Sequence, residues 1–126
     1  MAKILIVEDN PANMKLAMFL LERGGHTVLT AIDAAGGISQ ARAEKPDLIL
    51  MDINLPDMDG LQATKILKAD ARTCTIPIVA LSAVPMEGDA ERWRAAGCDS
   101  YIDKTLLYKE LWEAIESSIP TIPPKI

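Results

Sequence analysis

The amino-acid sequence predicts an α/β fold, a doubly wound five-stranded parallel sheet with five helices. The short apolar runs Ile4-Leu5-Ile6-Val7, Leu48-Ile49-Leu50-Met51 and Ile78-Val79-Ala80-Leu81 are unbroken rather than alternating, which is the pattern of strands covered on both faces. Segments with helical spacing lie between these runs, and β-α alternation along a chain implies a parallel sheet. Each run is followed at once by polar residues: Glu8-Asp9, Asp52 and Ser82. In such a sheet these residues emerge together at the carboxyl edge, where open α/β folds place their chemistry.

The elements follow in order. After the strand at 4–7, Asn10 is placed to cap a helix, Pro11 suits its first turn and Gly24-Gly25 ends it. That helix, over 11–23, carries Met14, Ala17, Met18 and Leu21 on one stripe. Thr27-Val28-Leu29-Thr30 is the most mixed strand and is expected at an edge. Asp33 caps a second helix bearing Ala34, Ile38 and Ala41, which stops before Pro46. A third helix, about 59 to 70, buries Ala63, Ile66 and Leu67. A fourth, about 87–96, presents Ala90 and Trp93. The shorter run Tyr101-Ile102 makes the last strand, followed directly by Lys104. A fifth helix, about 106–118, carries Leu107, Leu111, Ala114 and Ile115. Residues 119–126 contain Pro120, Pro123 and Pro124 and cannot continue a helix. The expected division is one domain over 1–118 and a Pro-rich tail over 119–126.

Bulk properties narrow the function classes. A chain of 126 residues that is 49% hydrophobic forms a single domain with a proper core. Aromatics are few, so aliphatic residues and methionine build that core. The net charge of −5 argues against direct nucleic-acid binding, which needs a basic surface to replace counterions. No apolar stretch approaches the roughly 20 residues of a membrane span. Cys74 and Cys98 give no disulfide framework and fit a reducing, cytoplasmic setting, and the early Glu8-Asp9 is incompatible with a signal peptide. His26 reads as a surface loop residue, the cysteines as packing residues, and Met51, Met58 and Met86 as gap fillers.

Glu8, Asp9 and Asp52 gathered in one crevice would repel one another, raising the pKa of at least one. A hard dication resolves that conflict. Mg²⁺ takes one or two carboxylates, keeps several waters and leaves room for phosphate oxygens. A carboxylate can act as a nucleophile and become an aspartyl-phosphate. Lys104 would bring positive charge to the phosphoryl oxygens and Ser82 a hydroxyl donor. Taken singly, these residues read as solvated loop acids, a surface lysine and a strand-end cap; their joint placement favours metal-assisted phosphoryl chemistry.

Four segments carry a further resemblance: Ile4-Leu-Ile-Val-Glu8-Asp9-Asn10; Pro46-Asp-Leu-Ile-Leu-Met-Asp52-Ile-Asn54-Leu-Pro56-Asp-Met-Asp-Gly60; Ile76-Pro77-Ile-Val-Ala-Leu-Ser82-Ala83; and Gly97-Cys-Asp-Ser-Tyr101-Ile-Asp-Lys104. In residue types and spacing the sequence resembles the receiver domain of two-component response regulators up to about residue 118, and its start is similar to that of stand-alone members. The resemblance implies a flavodoxin-like strand order 2-1-3-4-5. It implies that Asp52 is the phosphoacceptor, served by a phosphohistidine on a sensor histidine kinase or histidine phosphotransfer protein. It implies Mg²⁺ as cofactor, held by Asp9, Asp52 and the main-chain carbonyl of Asn54, with Glu8 acting through water. Ser82 would move towards the phosphoryl group, Lys104 would pair with it, and Tyr101 would be the switch aromatic. The bland reading of Tyr101 is a half-buried strand aromatic. A protein of this kind is no enzyme towards other substrates; it catalyses only its own phosphoryl transfer and dephosphorylation. A downstream signalling protein would read the state near Trp93, Tyr101, Leu106 and Tyr108; Trp93 and Tyr108 read equally well as packing residues.

The sequence departs from the family pattern where proline usually follows the lysine through a cis bond, for Thr105 follows Lys104. A cis bond before a non-proline residue costs about 2.5–4 kcal/mol, so the expectation is a trans bond with Lys104 still reaching the site. That departure also keeps open a phosphorylation-independent interaction module. A hydrolase of the haloacid-dehalogenase type is a third reading. There Asn54 would occupy the general acid's position, and an amide cannot exchange a proton at neutral pH.

Overall fold

The computed structural model describes residues 2–82 and 89–103. The chain runs β1 (Lys3–Val7), α1 (Pro11–Arg23), β2 (Thr27–Ala31), α2 (Ala34–Glu44), β3 (Leu48–Asp52), α3 (Gly60–Ala69), β4 (Ile78–Ser82), α4 (Asp89–Ala96) and β5 (Ser100–Asp103). All strand pairs are parallel, and the order across the sheet is β2-β1-β3-β4-β5. Four helices stand among the described residues. The helix expected over 106–118, the tail over 119–126, Met86, Lys104, Thr105, Leu106 and Tyr108 lie outside them.

Alternation along β1 explains why its apolar run is unbroken. Successive strand side chains point to opposite faces. Leu5 and Val7 join Ile49, Met51, Ile78 and Ala80 in a core roofed by α2, α3 and α4. Ile4 and Ile6 pack on the opposite face with Met14 and Ala17 of α1. A strand covered on both sides has no position left for a polar residue. β2 has a partner on one side only and is mostly half-exposed, the edge position its mixed sequence predicts.

The caps form as the residue types dictate. The Asn10 side chain accepts from the amides of Ala12 and Asn13 at 2.9 and 3.1 Å, and the Asp33 side chain from Gly36 at 2.7 Å. α1 turns its buried face through Met14, Ala17 and Leu20, leaving Met18 and Leu21 half-buried on the flank. In α3 the buried set is Gly60, Leu61, Ala63, Thr64 and Leu67, with Ile66 at the margin. α2 stops at Lys45, which adopts the left-handed conformation one residue before Pro46.

Trp93 is 2% exposed and belongs to the main core. The packing reading holds for it, because an indole wedged under the sheet cannot also line an open docking face. His26 is more than a surface loop residue: its Nδ1 accepts the Ala2 amide at 3.0 Å, tying the start of β1 to the α1–β2 turn. Cys98 is buried beside the Thr64 hydroxyl, and burial pushes its thiol pKa up, while Cys74 is exposed.

Candidate functional site

The register brings the acidic residues together. Val7 lies opposite Met51, so the chain leaving β1 carries Glu8 and Asp9 beside Asp52, the last residue of β3. The Glu8 amide donates to the Ala31 carbonyl at 3.0 Å, extending the ladder one step past the strand. Its carboxylate is fully buried and accepts the Asn10 amide at 3.1 Å. Because Asn10 in turn caps α1, the Glu8-Asp9-Asn10 corner is held from both sides. Asp9 is exposed, whereas Asp52 is only 2% exposed.

One carboxylate oxygen from each of Glu8, Asp9 and Asp52 lies within 4.8 Å of the other two. Two of these groups are withdrawn from water, and like charges this close repel one another. Three carboxylate oxygens are a hard donor set, suited to Mg²⁺ and similar cations rather than to softer metals.

The β3–α3 loop is anchored along its length. The Ile53 amide donates to the Leu81 carbonyl at 3.1 Å, and the Gly60 amide to the Ile53 carbonyl at 2.8 Å. Asn54 and Asp59 form an isolated antiparallel bridge. The Asn54 amide donates to Asp52 Oδ1 at 3.1 Å, fixing that carboxylate's orientation. Asp59 caps α3 through the Leu61 amide at 2.8 Å. Gly60 is required by close approach: a Cβ there would collide with the Asp52 carbonyl and come within 2.9 Å of the Ile53 Cα.

Asp57 is the residue sequence reasoning missed. Its two carboxylate oxygens accept the amides of Ala34 and Ala35 at 2.8 and 2.9 Å, so it caps α2 from a different loop. Those bonds hold its carboxyl below the usual range. Its partners are more than 20 residues away, and its local sequence reads only as a turn.

Ser82 ends β4 one step beyond Leu81, the register partner of Asp52, and pairs with Asp103. Tyr101 pairs with Ala80 in the same ladder. The carboxylates and the backbone of Ser82 thus share one edge of the sheet. The expected contribution of Lys104 and the form of the Lys104–Thr105 bond lie outside the described residues.

A family model for the response regulator receiver domain matches residues 4–116. The chain belongs to that family. This receiver is 43% identical over 114 residues to the polar-differentiation response regulator DivK of Brucella anthropi, covering 90% of this chain and 93% of that one. Among solved structures it is similar to the receiver domain of a Pseudomonas aeruginosa sensor histidine kinase with a magnesium ion coordinated in its active-site cleft. That match has 33% identity and a TM-score of 0.75, covering 91% of this chain and 98% of the other. The N-terminal domain of a Methanoculleus marisnigri response regulator receiver protein matches at 31% identity and a TM-score of 0.77, with 97% and 99% covered. The receiver is accordingly a response regulator of two-component signalling. No helix among its described residues is long and apolar enough to cross a membrane.

Proposed function

We propose that Asp52 accepts a phosphoryl group from a phosphohistidine carried by a sensor histidine kinase or a histidine phosphotransfer protein. The observation that carries this reading is the convergence of Glu8, Asp9 and Asp52 within 4.8 Å at the carboxyl edge of the sheet. A carboxylate oxygen of Asp52 bonds to phosphorus, the P–N bond breaks, and its electron pair returns to the imidazole. The Asn54 amide on Oδ1 orients the carboxylate for that attack.

The donor set fits a hard divalent cation. Asp9, Asp52 and the main-chain carbonyl of Asn54 would hold Mg²⁺, with Glu8 acting through a bound water. When bound, Mg²⁺ supplies positive charge that offsets the carboxylates and the phosphoryl oxygens. The magnesium in the cleft of the 33% identical Pseudomonas receiver supports this reading. Lys104 pairs with the transferred group, Ser82 donates its hydroxyl to it, and Tyr101 changes position as Ser82 does. The phosphoryl charge biases a two-state surface that a downstream signalling protein reads. The receiver comprises residues 1–118, with 119–126 as a separate tail. It works in the cytoplasm, without contacting nucleic acid or membrane, and catalyses only its own phosphorylation and dephosphorylation.

Incubation with acetyl phosphate or a phosphohistidine donor and Mg²⁺ is expected to add one phosphate by intact mass, and Asp52→Asn to abolish it. Undiminished labelling of that variant would overturn the assignment.

A further inference from the structure

The β3–α3 loop is pinned at its start by Ile53 and Asn54 and at its end by Asp59 and Gly60. Between these points its chain is held to a neighbouring element by Asp57, through the paired bonds to the amides of Ala34 and Ala35. α2 is itself seated firmly. Asp33 caps it locally, and Gly37 packs so closely on Val7 that an added Cβ would come within 2.7 Å of a Val7 methyl. Asp57 therefore transmits a fixed position from a seated helix to a loop three residues from Asn54.

We propose that Asp57 is a positioning residue of the metal site, holding the β3–α3 loop so that the main chain at Asn54 keeps the place a cation requires. The proposal rests on the metal-site reading above. An acceptor pair spanning two loops suits this role better than simple capping, because Asp33 already caps the same helix. Without Asp57 the loop would retain both ends and the packing of Leu55 and Met58 on the core but lose its hydrogen-bonded tie to α2, so the Asn54 backbone would be held less firmly before metal binding. Outer-shell partners of metal ligands commonly set affinity in this way, by 10–100-fold.

The test is calorimetric titration of the unphosphorylated protein with Mg²⁺, alongside thermal midpoints in EDTA. Asp57→Ala is expected to weaken the Mg²⁺ dissociation constant by about tenfold, and Asp57→Asn, which keeps one acceptor oxygen, to recover part of that loss. Asp33→Ala removes a cap from the same helix end without touching the loop, and is expected to lower the midpoint while leaving Mg²⁺ affinity within about twofold. Equal weakening by Asp33→Ala would show that helix stability alone is responsible and would overturn the proposal. So would wild-type affinity in Asp57→Ala. If that variant does not fold, Asp57→Asn carries the comparison, and unchanged affinity there is equally decisive. Absence of Mg²⁺ binding by the wild type would instead remove the metal-site reading and this inference with it.

Discussion

The two ends of α3 gather different sets of charge. At its start, beside Asp59 and Gly60, three carboxylates of like sign converge within 4.8 Å, two of them buried. At its finish Asp70 and Asp99 each meet a base. Asp70 accepts from Arg72 and Arg42 at 2.9 and 2.8 Å, and Lys68 reaches Asp99 at 3.1 Å while donating to the Ile76 carbonyl at 2.8 Å. The matched end holds its carboxylates ionised and ties α3 to α2 and to the turn before β5. The other end brings three carboxylates of like sign to short range, where repulsion grows as water is excluded.

The largest stability effect is expected at the matched end. Lys68→Met removes the donor to Ile76 and to Asp99 together, and an unsatisfied partly buried acceptor costs about 1–3 kcal/mol. Urea denaturation should read that loss, with labelling by acetyl phosphate unchanged. A smaller effect of opposite sign is expected at the site. Asp9→Asn removes one of three converging charges and should stabilise the protein in EDTA by about 1 kcal/mol. Addition of Mg²⁺ should then raise the thermal midpoint less than it does in the wild type. Destabilisation by Asp9→Asn in EDTA would erase the contrast between the two ends.

The smallest and most gradual effect is the response to acid. Arg72 and Arg42 hold the Asp70 carboxyl well below its ordinary value of 3.8. The Ile78 amide and Lys68 do the same for Asp99. A carboxyl depressed on folding contributes stability that is complete above the unfolded value and is lost as pH falls through the folded one. The stability these two groups supply should therefore be level above about pH 4 and decline below 3.8. Asp70→Asn should flatten that decline in urea midpoints measured across the range. An unchanged slope would mean that Asp70 is not held by its arginines in solution.

Much of this was legible in the chain because it is local. Asn10-Pro11 with Gly24, and Asp33 with Pro46, mark the ends of α1 and α2 through capping and backbone restriction that act over a few residues. Unbroken apolar runs mark strands covered on both faces, and the polar residue after each run marks the carboxyl edge. Met18, Leu21 and Ile66 were less legible. Helical spacing defines a stripe, whereas the rotation of that stripe against the sheet is decided by what it packs on. Trp93 could be core or surface by its spacing, and only the packed core that it shares with Ile78 and Ala80 of β4 decides between them. Asp57 was silent, because its bonds go to Ala34 and Ala35 on another element.

The order of elements, their caps, the edge character of β2 and the grouping of Glu8, Asp9 and Asp52 as one acidic set can be read from the chain alone. These follow from periodicity and from side chains bonding to nearby backbone. The burial of Glu8 beside an exposed Asp9, the approach of the three carboxylates to within 4.8 Å and the bonds from Asp57 of the β3–α3 loop to α2 emerge only on folding. The physical reason is distance along the chain. Burial and cross-loop hydrogen bonds depend on which strands lie side by side, and no window of neighbouring residues contains that information.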